Sequence, residues 1–431
     1  MKSFSRPSGS GYAAFQPKEI PKLVLVEQKL PTNHIENPRA EIRQRLLAAG
    51  LAKNISPGAR IAITAGSRGI GGFVDLVAGI VDAIKSAKGK PFIIPAMGSH
   101  GGATAEGQTR LLGVLGISGK TVGAPVKATM ETRTIGRSRS GAMAQLDKHA
   151  AAADGIVVLG RVKSHPENKA GIASGLLKMV TVGLGKQTGA QEAHSHGLWE
   201  SVRAVPSLTL ERSKVLFGVA VVENAYRQPV IIEVVHPSYR AFREADERLL
   251  KAAEPHAAKI PFDRLDLLVV DELGKNISGT GMDLNVIGKW RMAGGKQEPD
   301  FFRIVVLSLT EGSMGNGLGI GLADFTTKRF MDAYDPEHTY INLLTATEPG
   351  GMNTREGPLP LALDSDREAI EVGLYSALTS KRPRMCRIKS TACLDKFWVS
   401  EALLDEVNRE SKLSILERPG ALRFNRAGNL F

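Results

Sequence analysis

A chain of 431 residues exceeds what one ordinary hydrophobic core can serve, so two domains are expected. At 42% hydrophobic and 23% charged residues, with no apolar run of membrane-spanning length, it reads as neither disordered nor a helical membrane protein. The net charge of +12 is spread over the amino-terminal arm, Lys120 to Arg139 and the region from Lys381, with aromatics at 5%, which favours attraction of small anions and argues against nucleic acid.

The opening MKSFSRPSGSGYAAFQPKEIP lacks the apolar core of a signal peptide, so residues 1–22 read as a flexible arm. Only Cys386 and Cys393 occur, which suits a reducing cytoplasm and supplies no cysteine ligand set for zinc or iron–sulfur. Asn37 to Gly50 has an asparagine start, a proline in the first turn and a glycine stop, the signature of a helix. A grammar of strand, glycine-rich loop and helix follows. Arg60–Ala65 leads into GSRGIGG and a helix through Lys85, Pro91–Ala96 into MGSHGG and a helix from about Thr104 to Leu115, and Gly155–Gly160 into a glycine-rich segment ending at Gly197. Lys214–Val222 and Pro229–Val235 read as strands and Tyr239–Ala253 as a helix, before a proline-bearing linker near Pro255 to Pro261. The second half repeats the pattern, with strands over Leu265–Val270, Arg303–Leu309 and Tyr340–Thr345 and a helix over Asp364–Ser380. This alternation predicts an α/β fold of two domains, each a mostly parallel sheet flanked by helices: 23–258, cofactor-binding and catalytic, and 259–431, with the active site in a cleft between them able to open and close.

Three strands in the first half end in loops presenting Arg68, His100 and His165. Loops at the carboxyl ends of neighbouring parallel strands share one crevice, so these side chains are expected to meet over one ligand. Between Gly160 and Gly197, helical spacing puts Ile172, Leu176, Met179 and Val180 on a buried face and Lys178 on a stripe with Gly171, Gly175 and Val182. Small residues around one lysine let a flat ligand lie against the helix backbone. His194 and His196 follow, but a lone imidazole makes no closed zinc site, so most ligands of any metal here must come from something other than side chains. His34, His149, His236, His256 and His338 stand without company and read as structural or solvated.

The loop GSRGIGG invites a dinucleotide reading, in which an NAD(P)-dependent oxidoreductase is the alternative function. Two features oppose it: the next strand ends in Pro-Ala-Met with no acidic residue for a ribose, and no tyrosine has a lysine four residues on. The loop keeps a phosphate role through Ser67, Arg68 and Gly69. A non-catalytic binder of a phosphorylated ligand is the alternative from another class.

Taken together, Ser67 and Arg68, then Gly98 and His100, then His165, Ala170, Gly171, Gly175, Lys178 and His194 resemble the pattern of the lactate racemase family, and the step from Lys178 to His194 matches the family's. The resemblance covers roughly the first two hundred residues well and the second domain loosely. It implies an isomerase, a racemase or epimerase of an α-hydroxy acid, carrying a nickel-pincer nucleotide (nickel pyridinium-3,5-bisthiocarboxylic acid mononucleotide) attached covalently to Lys178. Nickel would be held by two sulfurs and a ring carbon of the cofactor and by His194. His100 and His165 would act as acid/bases on opposite faces of the substrate as hydride passes reversibly to the cofactor, and Arg68 would pair with the substrate carboxylate.

Departures from the family bear on the substrate. Ala65 stands where members with lactate activity carry an Asp, the step from His165 to Lys178 is longer, so that loop must bulge, and the second-domain motif survives only as Asp283 and Asn285. Lys289, or else Arg291, is expected to replace the family's second-domain lysine. These changes favour a larger or differently charged hydroxy acid, a sugar acid among them. The implied partners are a small anionic substrate and the proteins that make the cofactor, with neither nucleic acid nor membrane, and the oligomeric state is open.

Overall fold

The runs RIAITA, PFIIPA and GIVVLGR are apolar at successive positions, which a strand tolerates only when helices cover both faces of its sheet. The computed structural model describes residues 19–67, 70–163, 174–347, 355–377 and 382–431. Its chain lays down β1 (Leu23–Gln28), then β2 (Arg60–Ala65), a helix Phe73–Ser86 and β3 (Lys90–Pro95). A hairpin of β4 (Thr132–Arg137) and β5 (Met143–Asp147) precedes β6 (Gly155–Arg161), and β7 (Val215–Glu223) and β8 (Pro229–Val235) follow. The second half supplies β9 (Arg264–Leu273), β10 (Asp300–Leu309), β11 (Phe325–Thr327) and β12 (Leu361–Leu363), then β13 (Met385–Ser390), β14 (Cys393–Ser400) and β15 (Leu413–Ile415).

Besides the β4–β5 hairpin, the described residues form two larger sheets, both mostly parallel and flanked by helices. The smaller runs β3-β2-β6-β7-β8, parallel except for the β7–β8 pair. Alternate residues divide its core. Ile61, Ile63, Val157 and Leu159 face the helices Pro38–Ala48 and Phe73–Ser86, whereas Ala62, Ile94, Ile156 and Val158 face Leu176–Lys178, Leu198–Arg212 and Tyr239–Ala253. The larger sheet runs β12-β11-β10-β9-β13-β14-β1-β15, parallel from β12 to β13 and antiparallel beyond. Asn37 starts the first helix as its residue type implies: its Oδ1 accepts from Ala40 N at 3.0 Å, and Pro38 occupies the first turn.

Three elements differ from expectation. Leu23–Gln28, grouped by the sequence with residues up to 258, instead fills the slot between β14 and β15 in the larger sheet; the partners of a strand are not written in its own residues. Tyr340–Thr345 reads as a strand by its apolar run but lies inside the helix Pro336–Ala346. The deciding signal is upstream, where Asp335 accepts from His338 N and Pro336 opens the first turn. That helix buries its polar side, Thr339, Asn342 and Thr345, and exposes Tyr340 and Leu344. Third, the β4–β5 hairpin is unanticipated, because its exposed first strand, TRTIGR, lacks an apolar alternation.

Candidate active site

The carboxyl ends of β2, β3 and β6 open on one cavity of about 210 Å³. Gly66 and Ser67 reach it from β2, Ala96 to His100 from β3, and Arg161 from the end of β6. Gly175, Lys178, Met179 and Val182 form its floor, and His194 reaches it from the helix Lys186–Ser195. The second half of the chain contributes Lys275, Thr280, Asn342, Thr345 and Glu356. Ser67, His100, Gly175, Lys178 and His194, all singled out in the sequence, are thus brought together, whereas Arg68, Gly69, His165 and Gly171 lie outside the described residues.

Why the chain presents Lys178 here is local. Gly175 is extended, and the helix begins directly after it at Leu176. The first two N–H groups of that helix, on Leu176 and Leu177, donate to the two carboxylate oxygens of Asp246 at 2.9 and 3.0 Å. Asp246 comes from the helix Tyr239–Ala253 and is buried. A Cβ on residue 175 would fall 2.2 Å from Asp246 Oδ1, so only glycine fits between the carboxylate and the helix start. Leu176 and Leu177 anchor in the core, which leaves Lys178 half-buried against the cavity, its Nζ 5.7 Å from the ring of Trp199. Met179–Gly183 then opens into a wider turn closed by Leu184 N donating to Met179 O at 2.9 Å. The expected buried face therefore holds at Leu176 and Val180, while Met179 swings to the cavity and Leu177 takes a core place.

Burial pushes the Asp246 carboxyl up to about 7, with the N–H groups of Leu177 and Leu176 holding it back. A folded-state pKa raised above the unfolded value means that the folded protein keeps a proton the unfolded chain has lost between about pH 4 and 7, so this group's contribution to stability falls as pH rises through that window. Asp246→Asn, which does not titrate, is expected to gain thermal stability relative to wild type as pH is raised from 4.5 to 7.5. Melting temperatures of both proteins across that range check it; a constant difference would refute the shift.

The loop between β2 and the helix Phe73–Ser86 is less suited to a dinucleotide than its glycines imply. Gly71 N donates to Glu223 Oε1, and Glu223 Oε2 pairs with Arg161 at 2.8 Å. A carboxylate thus occupies this N–H just ahead of the helix, where a pyrophosphate would sit.

The second-half expectations need correction. Lys289 is exposed and does not line the cavity. Arg291 is a bracket: its guanidinium donates to the carbonyls of Phe301 and Leu322 and faces Asp324 at 3.4 Å. Among the described residues of this half, the cation lining the cavity is Lys275, buried, with Nζ donating to Gly279 O. It follows β9 just as His100 follows β3, so the same strand-to-loop rule could have found it. Asp283 also has a structural part. Burial raises its carboxyl, but Lys163 Nζ at 2.6 Å and the N–H groups of Asn285 outweigh that and hold it below the usual range. Lys163 stands just after β6 and pairs with Ser174 through both backbone bonds. His338, which the sequence leaves as structural or solvated, lines a small side pocket beside His100 and Lys275, its Nδ1 3.0 Å from Met314 O and 3.4 Å from Asp335 Oδ2.

Among the described residues no group of three or more His, Cys, Asp and Glu could hold a metal ion. His194 and Lys178 instead bring an imidazole and a primary amine to one cavity, with His100 a second imidazole there. Gly66 and Gly98 line the same wall, and a Cβ at either would meet Met179 or Val182 at 3.4 or 3.3 Å. That chemistry fits a metal carried within an organic cofactor that brings its own soft donors. The family model described as the lactate racemase N-terminal domain matches residues 18–205. Over this stretch, a little under half of the chain, the protein is similar to the amino-terminal domain of lactate racemases. The match ends close to where the sequence resemblance weakens. No curated protein matches the chain. No described helix is long and apolar enough to cross a membrane.

Proposed function

We propose that the protein racemises or epimerises an α-hydroxy acid, using a nickel-pincer nucleotide tethered to Lys178 with His194 as the protein's metal ligand. The observation that carries this reading is the meeting of Lys178, His194 and His100 on one glycine-walled cavity. When bound, the cofactor supplies a reversible acceptor for the substrate's α-hydrogen with its electron pair. The chain's own work is to orient the acid and to move its hydroxyl proton. His100, half-buried on the loop after β3, takes that proton on one face and His165 on the other, since inversion needs a base on each side. Arg68 binds the carboxylate, and Ser67 lines the cavity.

Lys275, Thr280, Asn342 and Thr345 add a polar wall facing these groups. Hydroxyl and amide side chains suit a substrate with further hydroxyls, and Lys275 suits its anionic charge, which supports a sugar acid or similar over lactate. We read each sheet as the heart of one domain, and the location as cytoplasmic, where the proteins that make the cofactor would act on it.

Intact mass and nickel analysis of protein made in cells with the cofactor pathway tests the proposal. An adduct on the Lys178 peptide with about one nickel per chain is expected, and an unmodified, nickel-free chain from such cells would refute it. Lys275→Ala is expected to raise KM for the hydroxy acid by roughly 10-fold or more, whereas Lys289→Ala leaves it unchanged. Steady-state kinetics of the two variants separate these positions.

A further inference from the structure

Behind the cavity wall lies a cation that the proposed chemistry does not touch. Lys186 is fully buried and opens the helix that carries His194 in its last turn, its backbone in the left-handed region at φ 56°. Its Nζ donates to Pro95 O at 2.7 Å and to Gln108 Oε1 at 2.8 Å, and faces Asp147 Oδ2 at 3.4 Å. Pro95 ends β3, Asp147 ends β5, and Gln108 lies in the helix Ala105–Val114. Burial lowers the Lys186 pKa, opposed by Asp147.

Gln108, also fully buried, turns this cation toward the site. Its Nε2 donates to Gly98 O at 2.8 Å and to His100 O at 3.2 Å, on either side of Ser99. An ammonium only donates, so it can face only the amide oxygen, and this fixes which end of the amide meets the loop. One buried charge therefore sets the amide that holds the His100 loop and also roots the helix that carries His194. Removing one member of such a set leaves the others unsatisfied in a low-dielectric interior, so the arrangement is stiff.

We propose that Lys186, acting through Gln108, is a positioning residue that fixes the loop of His100 relative to the helix of His194. The inference rests on the roles proposed above for those two histidines. Its sharpest test is Gln108→Glu, which keeps the volume and the acceptor facing Lys186 but cannot donate to Gly98 O and His100 O. In cofactor-free protein, hydrogen exchange over residues 97–104 is expected to quicken on the order of 10-fold or more with the melting temperature maintained. In loaded protein, kcat is expected to fall on the order of 10- to 100-fold with KM and nickel content held.

Gln108→Leu, which drops the contact to Lys186 as well, should quicken exchange in the helix 186–195 too. Unchanged exchange over 97–104 in Gln108→Glu would overturn the proposal, as would quickened exchange with unaltered kcat. A wild-type protein that loads no cofactor would overturn the functional reading instead, and the exchange result would still decide whether Gln108 holds the loop.

Discussion

Lys178→Ala is expected to yield a folded protein that carries no adduct and shows no racemase activity in any host. The side chain is half-buried and belongs to the cavity, while the core contacts of its helix come from Leu176, Leu177 and Val180, so truncation leaves the fold intact. The next lysine along the segment, Lys186, cannot substitute. Lys186 is fully buried, its hydrogen bonds are spent on Pro95 and Gln108, and it does not line the cavity. Peptide mass spectrometry of wild type and variant from cofactor-producing cells is the measurement. An adduct that persists in Lys178→Ala would place the tether elsewhere. His194→Ala gives the complementary outcome, with nickel lost and some adduct retained.

His100→Ala is expected to lower kcat by about 10²- to 10⁴-fold, the usual worth of a positioned acid/base, with adduct and nickel unchanged. His100 sits on a loop whose backbone is held independently of its imidazole by Gln108, and by Asn342 Nδ2 on Ser99 Oγ at 3.1 Å, so the loss is chemical and not a collapse. The ratio of forward to reverse kcat/KM is set by the equilibrium and stays fixed whichever face His100 serves. Enantiomer interconversion followed by chiral separation reads the effect, and a loss of less than about 10-fold would remove His100 from the reaction.

The smaller sheet was legible because each of β2, β3 and β6 is a short apolar run leading into a glycine-bearing stretch of sequence. In parallel sheets such runs bring their next loops together, which is how Ser67, His100 and the segment of Lys178 and His194 could be expected to meet. The far wall was not legible for reasons of the same kind. Asn342 and Thr345 sit in a run whose residue types favour a strand, and the helix that aims them is decided by Asp335 and Pro336. Lys289 is the residue the sequence favours over Arg291, since it follows Asn285, but a short helix at Leu284–Ile287 ends at Gly288 and leaves Lys289 exposed. Asp246 and Lys186 act through residues more than a helix away, and the spacing of nearby residues cannot register such partners.

The strand Leu23–Gln28 has both of its edges satisfied by β14 and β15, from the far end of the described chain. During synthesis it must wait, with unpaired backbone, until nearly all the rest has left the ribosome. A fragment severed near residue 258 would strand that segment on the wrong piece and leave a gap in the sheet of the other. Independent expression of the two halves should therefore succeed only if this short ribbon is grafted onto the later one.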